Sequence, residues 1–280
     1  MASRRISSIA LLAVLFVCFL TALLSVHLAP SDSVLALLQR AEASVQQRDF
    51  DAAISAFSAA ARLEPNNPDI YYRRGKAYRR MGEIDKAISD CTEAIRLAPE
   101  DVYAYELRGL IYKDRGELDK AIADYSDAIR INAFTAVLTF RGSAYLRQGE
   151  FDKAIADFTH AIRKDRNDTA AYCWRALANY KKGEFDKAIL DYSKAIHLDP
   201  TFPGVYRFRG DAYLENDDID EAIADYTLAI RLGSDVASAY YGRGRAFEKR
   251  GEIVKAQEDF AKTRSLGLRE EKASNNDSRP

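Results

Sequence analysis

The sequence predicts an all-α chain, a solenoid of about seven helical hairpins behind an N-terminal apolar helix. Three observations carry this. The chain resembles itself at a period of 33 or 34 residues, and each unit holds two stretches of 3.6-residue apolar periodicity. Nowhere does it alternate with the period of two that a half-buried strand requires.

The first element is the apolar segment, residues 1–30. After MASRR no charged residue occurs from Ile6 to Ser31. A membrane-crossing helix takes roughly 20 apolar residues, whereas a cleavable signal has an apolar run of about 7–15. The length fits a transmembrane signal-anchor better than a removed signal. Cleavage after Ala29 would put His27 where a small residue is preferred, while a cut after Ser25 stays open. Arg4 and Arg5 precede the run and the next basic residue is Arg40, so the positive-inside tendency leaves the N-terminus in the cytoplasm and everything else outside it.

Six repeats follow a degenerate first one. Gly75, Gly109, Gly142, Ala176, Gly210 and Gly244 are spaced 34, 33, 34, 34 and 34 residues apart. A second glycine recurs seven residues on, at Gly82, Gly116, Gly149, Gly183 and Gly251, with Asp217 in the remaining copy. The units are 68–101, 102–134, 135–168, 169–202, 203–236 and 237–270, and the degenerate copy is 34–67, marked by Phe50, Ala53, Phe57, Ala60 and Pro65. In unit 135–168 the first helix carries Leu138, Gly142 and Tyr145, and the second Phe151, Ala154, Ile155, Phe158, Ala161 and Ile162. Gly and Ala at the recurring positions let two helix backbones approach, and aromatics fill the space beside them. One hairpin cannot bury its apolar stripe alone, so neighbours must stack on it. The last copy has Thr263 where Ala usually stands, with Lys255, Glu258, Lys262 and Arg264, as a polar end repeat would. The tail 271–280, EKASNNDSRP, reads as disordered, and without a capping helix the C-terminal end is open to self-association.

The succession of aromatic, Gly, Tyr, Ala, aromatic, Ala and Pro resembles the tetratricopeptide repeat family. The copy at 169–202 shows Tyr172, Ala188, Tyr192, Ala195 and Pro200, and departs at Ala176 and Asn179. Proline also ends units at Pro65 and Pro99, but Ala133, Arg166 and Ser234 replace it elsewhere. The resemblance implies a right-handed α-solenoid whose first helices line a concave groove for a protein or peptide. By register that groove would be lined by Tyr72, Lys76, Arg79, Arg80, Glu106, Lys113, Arg147, Tyr180, Lys181, Arg207, Tyr241 and Arg245, with Cys173, Leu177 and Leu214 among them. Lys76 stands where the family's chaperone-tail clamp has Asn, which argues against that role. The chain is similar to bacterial envelope repeat proteins. The implied role is a non-catalytic adaptor or scaffold, or else a regulatory subunit that places an envelope enzyme. The implied location is the inner membrane, with the repeats in the periplasm, or a soluble periplasmic or secreted form after cleavage.

Other functions find little support. A formal net charge of −1 gives no electrostatic reason to expect nucleic acid. The three cysteines, Cys18, Cys91 and Cys173, form no CxxC, so neither a disulfide framework nor a zinc site is expected. His27, His160 and His197 are scattered, and no phosphate loop or nucleophile motif occurs, so no catalytic residue, metal or cofactor is expected. One constellation remains. An arginine precedes each marker residue and an aspartate follows it by a constant 16 positions: Arg74 and Asp90, Arg108 and Asp124, Arg141 and Asp157, Arg175 and Asp191, Arg209 and Asp225, Arg243 and Asp259. In a hairpin these positions face each other, so the pattern predicts a semi-buried ion pair joining helices; an acidic-ligand site is the alternative, and repetition through every unit favours the brace.

Overall fold

The computed structural model describes residues 33–132, 134–233 and 235–267. The expected anchor, 1–30, and tail, 271–280, lie outside the described residues. Among the described residues there are fourteen helices and no strand, and no helix is long and apolar enough to cross a membrane. The chain divides into two compact units, Met1–Ile111 and Tyr112–Pro280.

The first unit holds α1 (Val34–Gln46), α2 (Phe50–Leu63), α3 (Pro68–Met81), α4 (Ile84–Leu97) and the greater part of α5 (Val102–Asp114). Asn67 caps α3 by accepting from the Asp69 N–H at 3.1 Å, and Pro68 supplies the fixed φ of a first helical residue. Ala41, Ala53, Phe57, Ala60 and Ile70 form the core of the degenerate repeat and its successor. Ala87, Cys91, Leu107 and Ile111 continue it.

The second unit holds α6 (Leu118–Ile131), α7 (Thr135–Gln148), α8 (Phe151–Lys164), α9 (Thr169–Lys182), α10 (Phe185–Leu198), α11 (Pro203–Glu215), α12 (Ile219–Leu232), α13 (Val236–Lys249) and α14 (Ile253–Ser265). Each helix packs on the next, and α9 also touches α7 and α11 while α13 touches α11. The first helices of successive hairpins therefore share a layer within this unit.

The turn between the two helices of a hairpin needs one left-handed residue. At Gly149 (φ 79°) its N–H bonds to the Leu146 carbonyl, and the Glu150 N–H reaches back to Tyr145 at 2.9 Å. Asp217 takes the same conformation at φ 70°, as does Arg48 (φ 61°) in the degenerate repeat, where sequence shows no glycine. A non-glycine residue at such a position costs roughly 1–2 kcal/mol.

The marker glycine of the first helix has a different cause. A Cβ on Gly142 would lie 2.7 Å from Cε1 of Phe158, a fully buried ring sixteen residues on. At Gly75 the residue sixteen on is Cys91, whose Sγ would sit at 3.3 Å, so the fit is looser. Gly142→Ala should therefore lower stability by about 1–3 kcal/mol through overpacking. Gly75→Ala should stay within about 1 kcal/mol of the parent, because better helix propensity offsets a milder contact. Urea midpoints of the two variants check the order.

Candidate partner-binding site

The repeated arginines and aspartates come together as forks. In the first unit Arg74 donates through Nε and Nη2 to the two carboxylate oxygens of Asp90, both at 2.7 Å. In the second unit the same fork joins Arg141 to Asp157, Arg175 to Asp191, Arg209 to Asp225 and Arg243 to Asp259, at 2.7–2.9 Å. The aspartate side chains are only 5–8% exposed and the arginines 17–21%. Arg108 lies in the first unit and Asp124, buried, in the second.

The arginines have a second partner that the sequence reading missed. Nη1 of Arg74, Arg108, Arg141, Arg175, Arg209 and Arg243 donates to Ser58, Thr92, Ser126, Thr159, Ser193 and Thr227 on the second helix of the preceding hairpin, at 2.9–3.1 Å. Thr92, Ser126 and Thr227 give their own protons to the carbonyl four residues back, at 2.6–2.8 Å, so their oxygens face the guanidinium as acceptors. The signal was in the chain: a Ser or Thr stands two residues after Asp90, Asp124, Asp157, Asp191 and Asp225, and only the last brace aspartate, Asp259, has Ala261 there instead. Each guanidinium also lies over a tyrosine ring, as Arg141 does over Tyr145 at 5.8 Å. Hydrogen bonding to Asp157 lifts Arg141 above its ordinary pKa against the opposing pull of burial. With these bonds made inside the fold, an acidic ligand would have to displace them.

The expected groove residues divide between the units. In the first, Tyr72, Lys76 and Arg80 line a cavity of about 690 Å³ floored by Phe57 and Ala77. Its charges are mixed, since Glu42 and Asp69 line it too and both pair with Arg73. Lys76 Nζ lies 5.3 Å from the Tyr72 ring centre. Burial, then Glu106 and Asp101, pushes the Tyr72 hydroxyl up to about 12. Burial also raises the half-buried Glu106, with Lys76 opposing. Arg79, half-buried, sits on the last turn of α3.

In the second unit Lys113, Arg147 and Lys181 meet around one cavity of about 350 Å³. They end α5, α7 and α9, where cations also suit the helix dipole. Arg147 donates to the Lys113 carbonyl at 3.1 Å. Leu146, Phe151, Trp174 and Leu177 supply the apolar lining, and no carboxylate is among the lining residues. Trp174 stacks on Phe158 with ring centres 6.3 Å apart and planes 15° from parallel. Sequence reasoning missed Trp174, although it is the chain's one tryptophan. It occupies the position just before a brace arginine, which elsewhere holds Arg73, Leu107, Phe140, Phe208 and Gly242. That variation marked it as a position the repeat does not dictate. Tyr180, half-buried and preceding Lys181 in the chain, leans on Phe185 with ring centres 5.6 Å apart, and it is not among the residues lining this cavity.

Arg207 corrects an expectation. It is 8% exposed, because Asp211 (2.7 Å), Asp235 (3.3 Å) and the face of Phe208 (4.0 Å) enclose it. Asp211 also accepts from the Tyr226 hydroxyl at 2.7 Å, and burial followed by Asp211 pushes that phenol well up. Cys173 and Leu214, expected in the groove, are likewise buried, and Leu177 contributes only to the cavity floor. Arg245 pairs with Glu215 at 3.1 Å, and Tyr241 packs at a tilt on Phe260.

Cys91 and Cys173 are buried cysteines, and burial pushes Cys173 up to about 12. Among the described residues no cluster of His, Cys, Asp or Glu could hold a metal ion.

Comparison with known proteins agrees with this architecture. Family models described as tetratricopeptide repeat match residues 68–101, 102–135 and 141–203, and one described as TPR repeat matches 41–82 and 210–251. The chain belongs to the tetratricopeptide repeat family, a fold typical of protein–protein interaction scaffolds. A tetratricopeptide repeat protein from Parabacteroides merdae is 24% identical, with 86% of this chain and 96% of that one covered and a TM-score of 0.66. The C-terminal part of a repeat-containing protein from Cytophaga hutchinsonii is 21% identical over 85% of this chain and 98% of its own, at a TM-score of 0.70. YrrB, described as a TPR protein with an unusual peptide-binding site, is 18% identical over 71% of this chain and all of its own, at 0.58. These three share the fold. No curated protein matches the chain.

Removing one side of a brace strands a charge. Arg141→Leu should cost about 3–5 kcal/mol, because Asp157 would be left buried without its counterion. Thr159→Val should cost about 1–2 kcal/mol, the loss of one hydrogen bond to a charged group. Urea unfolding of both variants reads the difference.

Proposed function

We propose that this chain is a non-catalytic adaptor that holds a segment of a partner protein against the first helices of its hairpins, outside the cytoplasm. The supporting observation is the division of labour on those helices. The repeating arginines are occupied within the fold, while non-repeating side chains such as Tyr72 and Lys76, or Arg147, Trp174 and Lys181, line open cavities. YrrB, which has the same fold, is described as carrying a peptide-binding site. Placement outside the cytoplasm rests on the uncharged segment Ile6–Ser31 behind Arg4 and Arg5.

A photo-crosslinking residue placed at Tyr180 or Tyr72 should capture a defined protein in cells of the source organism. The same residue at His160, exposed on a second helix, should not. Equal capture from all three positions, or from none, would contradict the reading.

A further inference from the structure

The cavity between Lys113, Arg147 and Lys181 has a chemistry of its own. Its size lies at the low end of ligand pockets, about 300–1,000 Å³, which suits one or two side chains and not a run of stacked bases. Its floor is apolar and its aromatic wall is fixed, since Trp174 is held against the buried Phe158. A preset aromatic surface binds without the entropy cost of ordering it. Its rim is cationic on three helices, and among the nine lining residues none is acidic. The helix dipole explains a cation at the end of each helix. It does not explain their convergence on one apolar cavity, and the larger cavity of the first unit, with Glu42 and Asp69 in its wall, lacks this character.

The geometry points to this cavity as the receptor for an acidic segment of a partner protein, in which one large apolar side chain enters beside Trp174 and Leu177 while flanking carboxylates meet Lys113, Arg147 and Lys181. The inference rests on the adaptor reading and specifies the partner for one of its two cavities. Attraction of this kind acts through rim charges, so it sets association and falls with salt.

Selection of random displayed heptapeptides on the full-length chain in mild detergent tests it. The expected consensus has one aromatic or long aliphatic residue flanked by Asp or Glu. A synthetic fluorescein-labelled peptide of that consensus should bind at least tenfold more weakly to Lys181→Glu and to Arg147→Glu, and more weakly as salt rises. Both substituted residues are exposed, and unchanged circular-dichroism melting would show that the variants fold. A neutral or basic consensus, or binding indifferent to both substitutions, would overturn the proposal. If binding were lost instead in Lys76→Glu, the acidic-receptor assignment would fail and the adaptor reading would stand. No enrichment on either cavity would fail both. Tighter binding of a fluorescent oligothymidylate than of the peptide at 150 mM salt, an ionic strength at which the Debye length is about 8 Å, would also overturn it.

Discussion

Five of the hairpins each have one arginine that binds two groups on two other helices. Its Nε and Nη2 clasp the aspartate of its own second helix, and its Nη1 reaches a Ser or Thr on the hairpin before it. The carboxylate is too buried to stand alone, and the guanidinium is bidentate, the geometry in which such pairs are strongest. A second ladder also crosses between hairpins, with Lys182 on Asp152 and Arg250 on Asp220. Those carboxylates are 81% and 79% exposed, so each such pair is worth about 0–1 kcal/mol. The buried fork is the connection that counts.

The fork constrains the packing around it. Holding the arginine level with an aspartate sixteen residues on also holds the neighbouring glycine level with the aromatic after that aspartate, as with Gly142 and Phe158. Charge pairing and close backbone approach therefore set the same register. Because each arginine also touches the preceding hairpin, stability should be shared between neighbours, as in other quasi-one-dimensional repeats.

The helices and the fork were legible because they recur: a period of 33 or 34 residues and a constant separation of 16 survive any single substitution. The left-handed turn at Arg48 was not legible, since the type of residue there gives no sign of its conformation. Arg207 misled for a related reason. Register puts it among the exposed groove residues, but Asp235, the N-cap residue of α13, and Phe208 beside it close over the guanidinium. Trp174 was missed because a reading built on recurrence discounts what does not recur. The cavity it lines needs Lys113, Arg147 and Lys181 from three helices, a convergence that only the packed hairpins reveal.

Along each first helix after the degenerate one, the brace and the marker beside it fix two positions, and the position before the arginine is left to vary. Native-state hydrogen exchange on Arg175→Met tests the brace most directly, because protection reports the opening of individual helices. If the arginine joins two hairpins, amides of α8 and of α10 should lose protection together, by about tenfold for each 1.4 kcal/mol lost, with α13 and α14 affected least. Loss in α10 with α8 unchanged would contradict the account, showing that the arginine ties only its own hairpin.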